Sequence, residues 1–166
     1  MRSSANKLVT DVAEALRARG ENVGFAESCT GGLISSMLAA MPGISDVFHG
    51  SVVAYSNRVK ENLLAVPNSQ IRSFGAVSAP VARSMAAGGR NSLGVDWCVS
   101  ISGIAGPGGG SPAKPVGTVC FGVRGPGVDK VDQVQFTGSR HVIQKASAEH
   151  ALRLLLNELG DGEAES

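Results

Sequence analysis

The sequence predicts an α/β protein, a three-layer α/β/α sandwich around a mixed, mostly parallel sheet. Two observations carry that reading. Amphipathic helical segments alternate with short apolar runs over the first hundred residues, the pattern of crossover connections between parallel strands. Two strand-like runs then follow one another across a Gly-Pro-Gly turn before a closing helix, which adds an antiparallel hairpin to the sheet. With 166 residues, no internal repeat and no linker-like stretch, one domain over 1–166 is expected. Its ordered core runs from about residue 5 to 158, with 160–166 a solvated tail.

Each element has its own signal. Leu8, Val9, Val12, Ala13 and Leu16 form one helical stripe, closed by Arg19-Gly20. Residues 23–26 read as a buried strand, and residues 30–40 as a helix stopped by Met41-Pro42-Gly43. Val47-Phe48 and Val52-Val53-Ala54-Tyr55 bracket Gly50, a strand with a bend or close approach at the glycine. Ser56-Asn57 caps a short helix through Arg58, Lys60, Leu63 and Leu64. Pro67 and Gly75 bound a small helical or turn segment. Ser78 caps a helix that has Pro80 in its first turn and runs towards Gly88-Gly89. Residues 97–101 make the next strand, and 102–112 are too rich in Gly and Pro for regular structure. Residues 116–123 and 131–136 pair around Gly125-Pro126-Gly127. The last helix starts near Ser139 and carries Leu152, Leu155, Leu156 and Leu159 on one face.

Composition excludes several function classes. A formal net charge of +1 makes no electrostatic case for nucleic acid or an anionic membrane. No run approaches membrane-spanning length and residues 1–7 lack an apolar signal core, so a cytoplasmic protein is expected. Cys29, Cys98 and Cys120 form no secreted-type framework, and His49, His141 and His150 are scattered. No metal and no cofactor is expected.

Open α/β sheets bind ligands in the loops leaving the strands. Three such loops stand out, 27–32, 55–60 and 102–110, and they bring Ser28, Tyr55, Lys60 and Ser102 to one crevice if their strands are parallel neighbours. Ser28 with Lys60 suggests a nucleophile and its base, provided that desolvation or a neighbouring positive charge such as Arg58 lowers the lysine pKa. Tyr55 is placed to relay or orient a proton. Cys29 is the rival nucleophile, set near a helix N-terminus. Thr30, Gly31 and Gly32 open that helix, where backbone N–H groups suit an oxyanion or phosphate. The loop after Gly103 lacks GxGxxG and the Walker ending but suits a smaller phosphate. Arg140, at the start of the last helix, offers a fork for the same group. Against each stands an ordinary structural role: a helix cap, a solvated lysine, a surface loop, an exposed arginine.

Five motifs in order, taken together, resemble one family. They are Ala26-Glu27-Ser28-Cys29-Thr30-Gly31-Gly32, Tyr55-Ser56-Asn57 with Lys60, Gly75-Ala76-Val77-Ser78, Ser100-Ile101-Ser102-Gly103-Ile104-Ala105-Gly106-Pro107, and Lys114-Pro115-Val116-Gly117-Thr118-Val119. This is similar to the C-terminal domain of the competence/damage-inducible protein CinA, also found as stand-alone nicotinamide-nucleotide amidases. The resemblance implies hydrolysis of the carboxamide of nicotinamide mononucleotide to nicotinate mononucleotide and ammonia, without metal or cofactor, in pyridine nucleotide salvage. It puts the catalytic serine at Ser28 and the lysine at Lys60, with further site positions at Ser45, Tyr55, Ser102 and Arg140. It also implies a small-molecule nucleotide as substrate and association as a homo-oligomer. Position 102 is Ser where Thr is common in the family, and Gln144 stands where a second arginine often follows Arg140. A non-catalytic nucleotide-binding, competence-associated protein is the alternative of a different class, and a Cys29-dependent amidase is a third.

Overall fold

Helix α1 (Ser4–Arg19) begins where the Ser3 hydroxyl accepts the Asn6 N–H. It ends at Gly20, whose φ of 63° is the left-handed cap that glycine adopts without strain. Its five buried residues are the predicted stripe, Leu8, Val9, Val12, Ala13 and Leu16. This computed structural model describes residues 3–161, so the predicted tail lies outside it from 162 onward.

The chain continues through β1 (Val23–Glu27), α2 (Leu33–Ala39), a 3-10 turn (Ile44–Asp46) and β2 (Phe48–Val53). It then forms α3 (Asn57–Leu64), α4 (Asn68–Phe74), α5 (Ala79–Leu93), β3 (Trp97–Gly103), the β4 (Thr118–Gly125) and β5 (Val128–Gln135) hairpin, and α6 (Arg140–Asp161). The sheet order is β2-β1-β3-β4-β5. β1 pairs in parallel with both β2 and β3, whereas β3–β4 and β4–β5 are antiparallel. Only β4 therefore runs against the other strands, which is the mixed, mostly parallel sheet expected.

Two apolar clusters cover the sheet. Side chains of α1, α2 and α6, with Phe25, Val99 and Phe121, form the core on one face. Leu64, Ile71, Val81 and Met85 from α3, α4 and α5 form the core on the other, with Ala26 and Cys98. The chain leaves β1 on the first face to reach β2, then crosses back over the second face to β3 on the opposite flank of β1. That reversal opens a crevice at the C-terminal ends of β1 and β3, where ligands sit in open α/β sheets.

Three helix boundaries differ from the sequence reading, and both hairpin strands sit closer to their turn than the expected 116–123 and 131–136. Helix α2 starts at Leu33 rather than Thr30, because Gly31 and Gly32 take positive φ values of 59° and 102° and make a turn first. Helix α5 runs through Gly88-Gly89 to Leu93. The glycines mark close packing instead of an end: a Cβ on Gly88 would sit 1.7 Å from Leu64 O, and one on Gly89 would sit 2.6 Å from Cys98 Sγ. Helix α6 carries on past Gly160 to Asp161, so the first residues of the expected tail are helical. At Gly50 the predicted irregularity is a register shift, with Val23 opposite Phe48 and Gly24 opposite Gly50.

Candidate active site

Ser28 is the first residue after β1, and its N–H donates to Ile101 O at 2.9 Å, which holds it against the neighbouring strand β3. Lys60 comes from α3, whose N-cap Ser56 accepts the Val59 N–H and turns that helix towards β1. The lysine is 2% exposed and the serine 7%. Lys60 Nζ lies 3.0 Å from Ser28 Oγ, with Tyr55 O 3.4 Å away as its second partner. Burial pushes the Lys60 amine below its ordinary pKa of 10.5, and the Cys29 thiol works weakly the other way. Arg58, the expected positive neighbour, plays no part in this. It is exposed, and two positions along a helix lie on nearly opposite faces.

A cavity of about 270 Å³ opens beside this pair, lined by Ser28, Lys60, Tyr55, Ser102, Gly106 and Arg140 among others. The three predicted loops do converge there. Ser102, however, already donates its hydroxyl to Ala76 O at 2.8 Å, tying the 75–78 segment to β3. It is left with acceptor lone pairs towards the cavity. Tyr55 is 58% exposed, and its hydroxyl meets Arg140 at 2.7 Å instead of the serine. Its carbonyl, not its phenol, orients Lys60. Arg140 opens α6 as expected and donates its other arm to Gly106 O at 2.7 Å, so the glycine loop is tethered over the site.

Other predicted positions lie elsewhere. Thr30, Gly31 and Gly32 face a neighbouring cavity of about 570 Å³ across the turn, shared with Met37 and His141. That larger cavity carries no paired nucleophile and base. Ser45 is exposed in the turn before β2. Because β2 runs parallel to β1, that turn sits at the opposite end of the sheet, and within one chain Ser45 does not reach the site. Cys29 borders the cavity but is buried in the apolar cluster below, and desolvation lifts its thiol to about 11, so little thiolate exists near neutrality.

The helix N-terminus is spent before any ligand arrives. Glu27, fully buried, accepts at Oε1 from Thr30 Oγ1 (2.7 Å), Gly32 N (3.2 Å) and Ile34 N (3.1 Å). At Oε2 it accepts from Ser35 N (3.2 Å) and Ser35 Oγ (2.6 Å). An acidic residue just ahead of a helix start is a legible signal for this role. Gly31 N and Leu33 N bond within the turn, and the Thr30 N–H has no acceptor among the described residues. Gln144, in place of a second arginine, donates to Cys29 O at 2.9 Å and so buttresses the same turn from α6.

Among the described residues no group of three or more His, Cys, Asp or Glu could hold a metal ion. Nor is any of their helices long and apolar enough to cross a membrane.

Comparison with known proteins agrees with the motifs. A family model for the CinA C-terminal domain matches residues 5–159. A CinA-like protein of Prochlorococcus marinus (strain MIT 9313) is 47% identical over 162 residues, covering 96% of this chain and 38% of that protein. Another from Synechococcus sp. (strain RCC307) is 53% identical over 121 residues, 73% of this chain and 29% of that protein. The chain thus spans well under half the length of these curated relatives. A solved CinA superfamily protein from Klebsiella pneumoniae 700603 superposes with a TM-score of 0.92 at 33% identity, over 96% of this chain and 99% of that one. The competence/damage inducible protein CihA from Agrobacterium tumefaciens gives 0.91 at 34% identity, over 95% and 98%. On this combined match of motifs, family model and fold, the chain belongs to the CinA C-terminal domain family.

Proposed function

We propose that this chain is an amidohydrolase acting on the carboxamide of nicotinamide mononucleotide, with Ser28 as nucleophile and Lys60 as its base. The observation that carries the reading is the 3.0 Å contact between a buried lysine amine and a serine hydroxyl at the mouth of the sheet. A neutral amine accepts the hydroxyl proton, and burial favours that neutral form. In the first half-reaction Ser28 Oγ attacks the amide carbon while its proton passes to Lys60 Nζ. Lys60 then returns the proton to the departing nitrogen, the C–N bond breaks, and ammonia leaves an acyl ester on Ser28. In the second half-reaction water attacks the ester, giving its proton to Lys60, which reprotonates Ser28 Oγ as the carboxylate departs. The tetrahedral oxyanion takes its donors from the Thr30 N–H and the backbone of the glycine loop, since the Ser28, Gly31, Gly32 and Leu33 amides are occupied.

The substrate's phosphate supports the assignment of Arg140. Its guanidinium meets only a carbonyl and a phenol, so its charge is uncompensated by any ion pair among the described residues. A phosphate can replace both neutral partners bidentately. The chemistry needs no metal. The test is ammonia release from nicotinamide mononucleotide by the wild type, Ser28→Ala and Lys60→Met. Loss of release in both variants supports the reading, and equal rates in wild type and Ser28→Ala remove it. Tight binding of the nucleotide without turnover by the wild type favours the non-catalytic, competence-associated alternative.

A further inference from the structure

We infer that Glu27 is a positioning residue that sets the gap between Ser28 and Lys60. The inference rests on the Ser28–Lys60 reading above and adds to it a residue outside the reacting pair. Glu27 has no exposed surface and touches neither the serine hydroxyl nor the lysine amine. It joins the parts that carry them.

Three connections meet at this one residue. Its Oε1 gathers Thr30 Oγ1, Gly32 N and Ile34 N, fixing the turn that begins at Ser28. Its Oε2 takes both the N–H and the hydroxyl of Ser35, fixing α2. Ser35 Oγ has one proton and gives it to the carboxylate, so the 2.6 Å contact with Ser51 Oγ runs from Ser51 to Ser35. Ser51 lies on β2, the edge strand, and β2 leads directly into Tyr55 and Lys60. The Glu27 backbone closes the circuit, with its carbonyl accepting the Ala54 N–H at 2.7 Å. The nucleophile's turn and the base's strand are therefore held by one side chain and its own peptide group. A carboxylate suits this job because its two oxygens can accept all five bonds at once, and an amide cannot.

The position also shows why α2 is poor at holding a ligand anion. The carboxylate is already seated on the N–H groups at its start, and the positive end of the helix stabilises that charge inside the protein. The positive end of α2 works for geometry, leaving the oxyanion to other donors.

Glu27→Gln keeps the shape but presents one acceptor and one NH2 to a ring of donors. Some of the five bonds are lost whichever way the amide turns. Ser35→Ala removes the hydroxyl's bonds to Glu27 and Ser51 but keeps the Ser35 N–H bond, so it is the milder variant that tests the same connection. The expected result for Glu27→Gln is a kcat about 100-fold lower with KM within about 3-fold, since a misplacement on the order of 1 Å costs that much. For Ser35→Ala the expected fall in kcat is about 5-fold. Crystal structures of both variants read the geometry without any substrate, and the Ser28 Oγ to Lys60 Nζ distance is expected to exceed about 3.5 Å in Glu27→Gln. Folding is checked by Tm and circular dichroism, with rates taken well below the transition. A Glu27→Gln protein with lowered Tm but unchanged kcat and an unchanged 3.0 Å contact overturns the inference. If the wild type releases no ammonia yet the gap opens in the variant, the substrate assignment falls and the positioning role stands. A gap that stays closed ends the positioning role, whatever the wild type hydrolyses.

Discussion

At the N-terminal ends of β1 and β2, Arg17 meets Asp46 at 2.7 Å and Arg19 meets Glu21 at 3.0 Å, each cation facing a carboxylate. At the C-terminal ends of the same strands, Lys60 meets a hydroxyl and a carbonyl, and Arg140 meets a carbonyl and a phenol. Pairing with a carboxylate holds each partner in its charged form: the Arg17–Asp46 contact raises the pKa of the arginine and lowers that of the aspartate. The exposed Arg17–Asp46 pair closes the turn before β2 against α1, the part-buried Arg19–Glu21 pair holds the link from α1 to β1, and neither has anything left to offer a ligand. Cations whose partners are neutral oxygens behave differently. Arg140 keeps its charge available for an anion, and Lys60, deprived of both water and a counter-charge, is biased to release its proton. The carboxylate of Glu27 lies close behind this second pole, but five donors already occupy it.

The contrast breaks most sharply at the reacting pair. Ser28→Ala and Lys60→Met are each expected to lower kcat by about 1,000-fold or more in the ammonia-release assay, because either change removes the activated nucleophile. The lysine variant should at the same time hold or gain Tm at pH 7, since it removes a buried group whose charged form is penalised. A drop in Tm of many degrees with retained activity would mean that Lys60 is a structural cation like Arg17.

Next in size is the anion end. Arg140→Gln should raise KM for the phosphorylated substrate by about 30-fold while kcat moves less than about 5-fold, the signature of lost ground-state binding. An unchanged KM would mean that Arg140 only tethers the glycine loop.

The pH dependence sharpens the same point. Lys60 in the folded chain binds its proton more weakly than the 10.5 of the unfolded chain. Between its lowered folded value and 10.5 the unfolded state holds the extra proton, so stability from this residue rises with pH across that window. It falls away as pH drops through the folded value. The acid limb of kcat/KM should follow the same lowered value, and chemical denaturation of Lys60→Met should lack that slope. A slope that survives in the variant would assign it to other groups.

The smallest effects are expected at the residues the structure sets aside. Cys29→Ala should retain the rate within about 3-fold, because a thiol lifted to about 11 contributes little thiolate. Ser45→Ala should change it by less than about 2-fold if each chain works alone, since Ser45 sits at the ion-paired pole. A large loss at Ser45 would show instead that a second copy carries this serine into the site.

Much of this was legible in the residues. The stripe of α1, the apolar run of β1 and the cap at Ser56 each depend on contacts within a few positions, and each element formed where those signals stood. The Ser28–Lys60 pair was legible through the motifs around it, and Arg140 through its place at the start of the last helix. The orientation of Tyr55, the spent hydroxyl of Ser102 and the remoteness of Ser45 were not, because side-chain partners 26 to 85 positions apart leave no local pattern. The Gly88-Gly89 pair misled for a related reason. Glycine weakens a helix in isolation, yet here it admits the backbone of α3 and the thiol of Cys98.

Hydrophobic period, capping residues and glycine placement by themselves determined the elements, their order and the loops from which chemistry would come, since all of these act over one or two turns of chain. Tertiary structure alone decided which polar groups were already satisfied. It seated Glu27 on α2, Ser102 on Ala76 and Cys29 in the core, and left Lys60 dry beside Ser28. Hydrogen-bond capacity and solvent access are properties of what surrounds a group in space, and the surroundings exist only once the strands have paired.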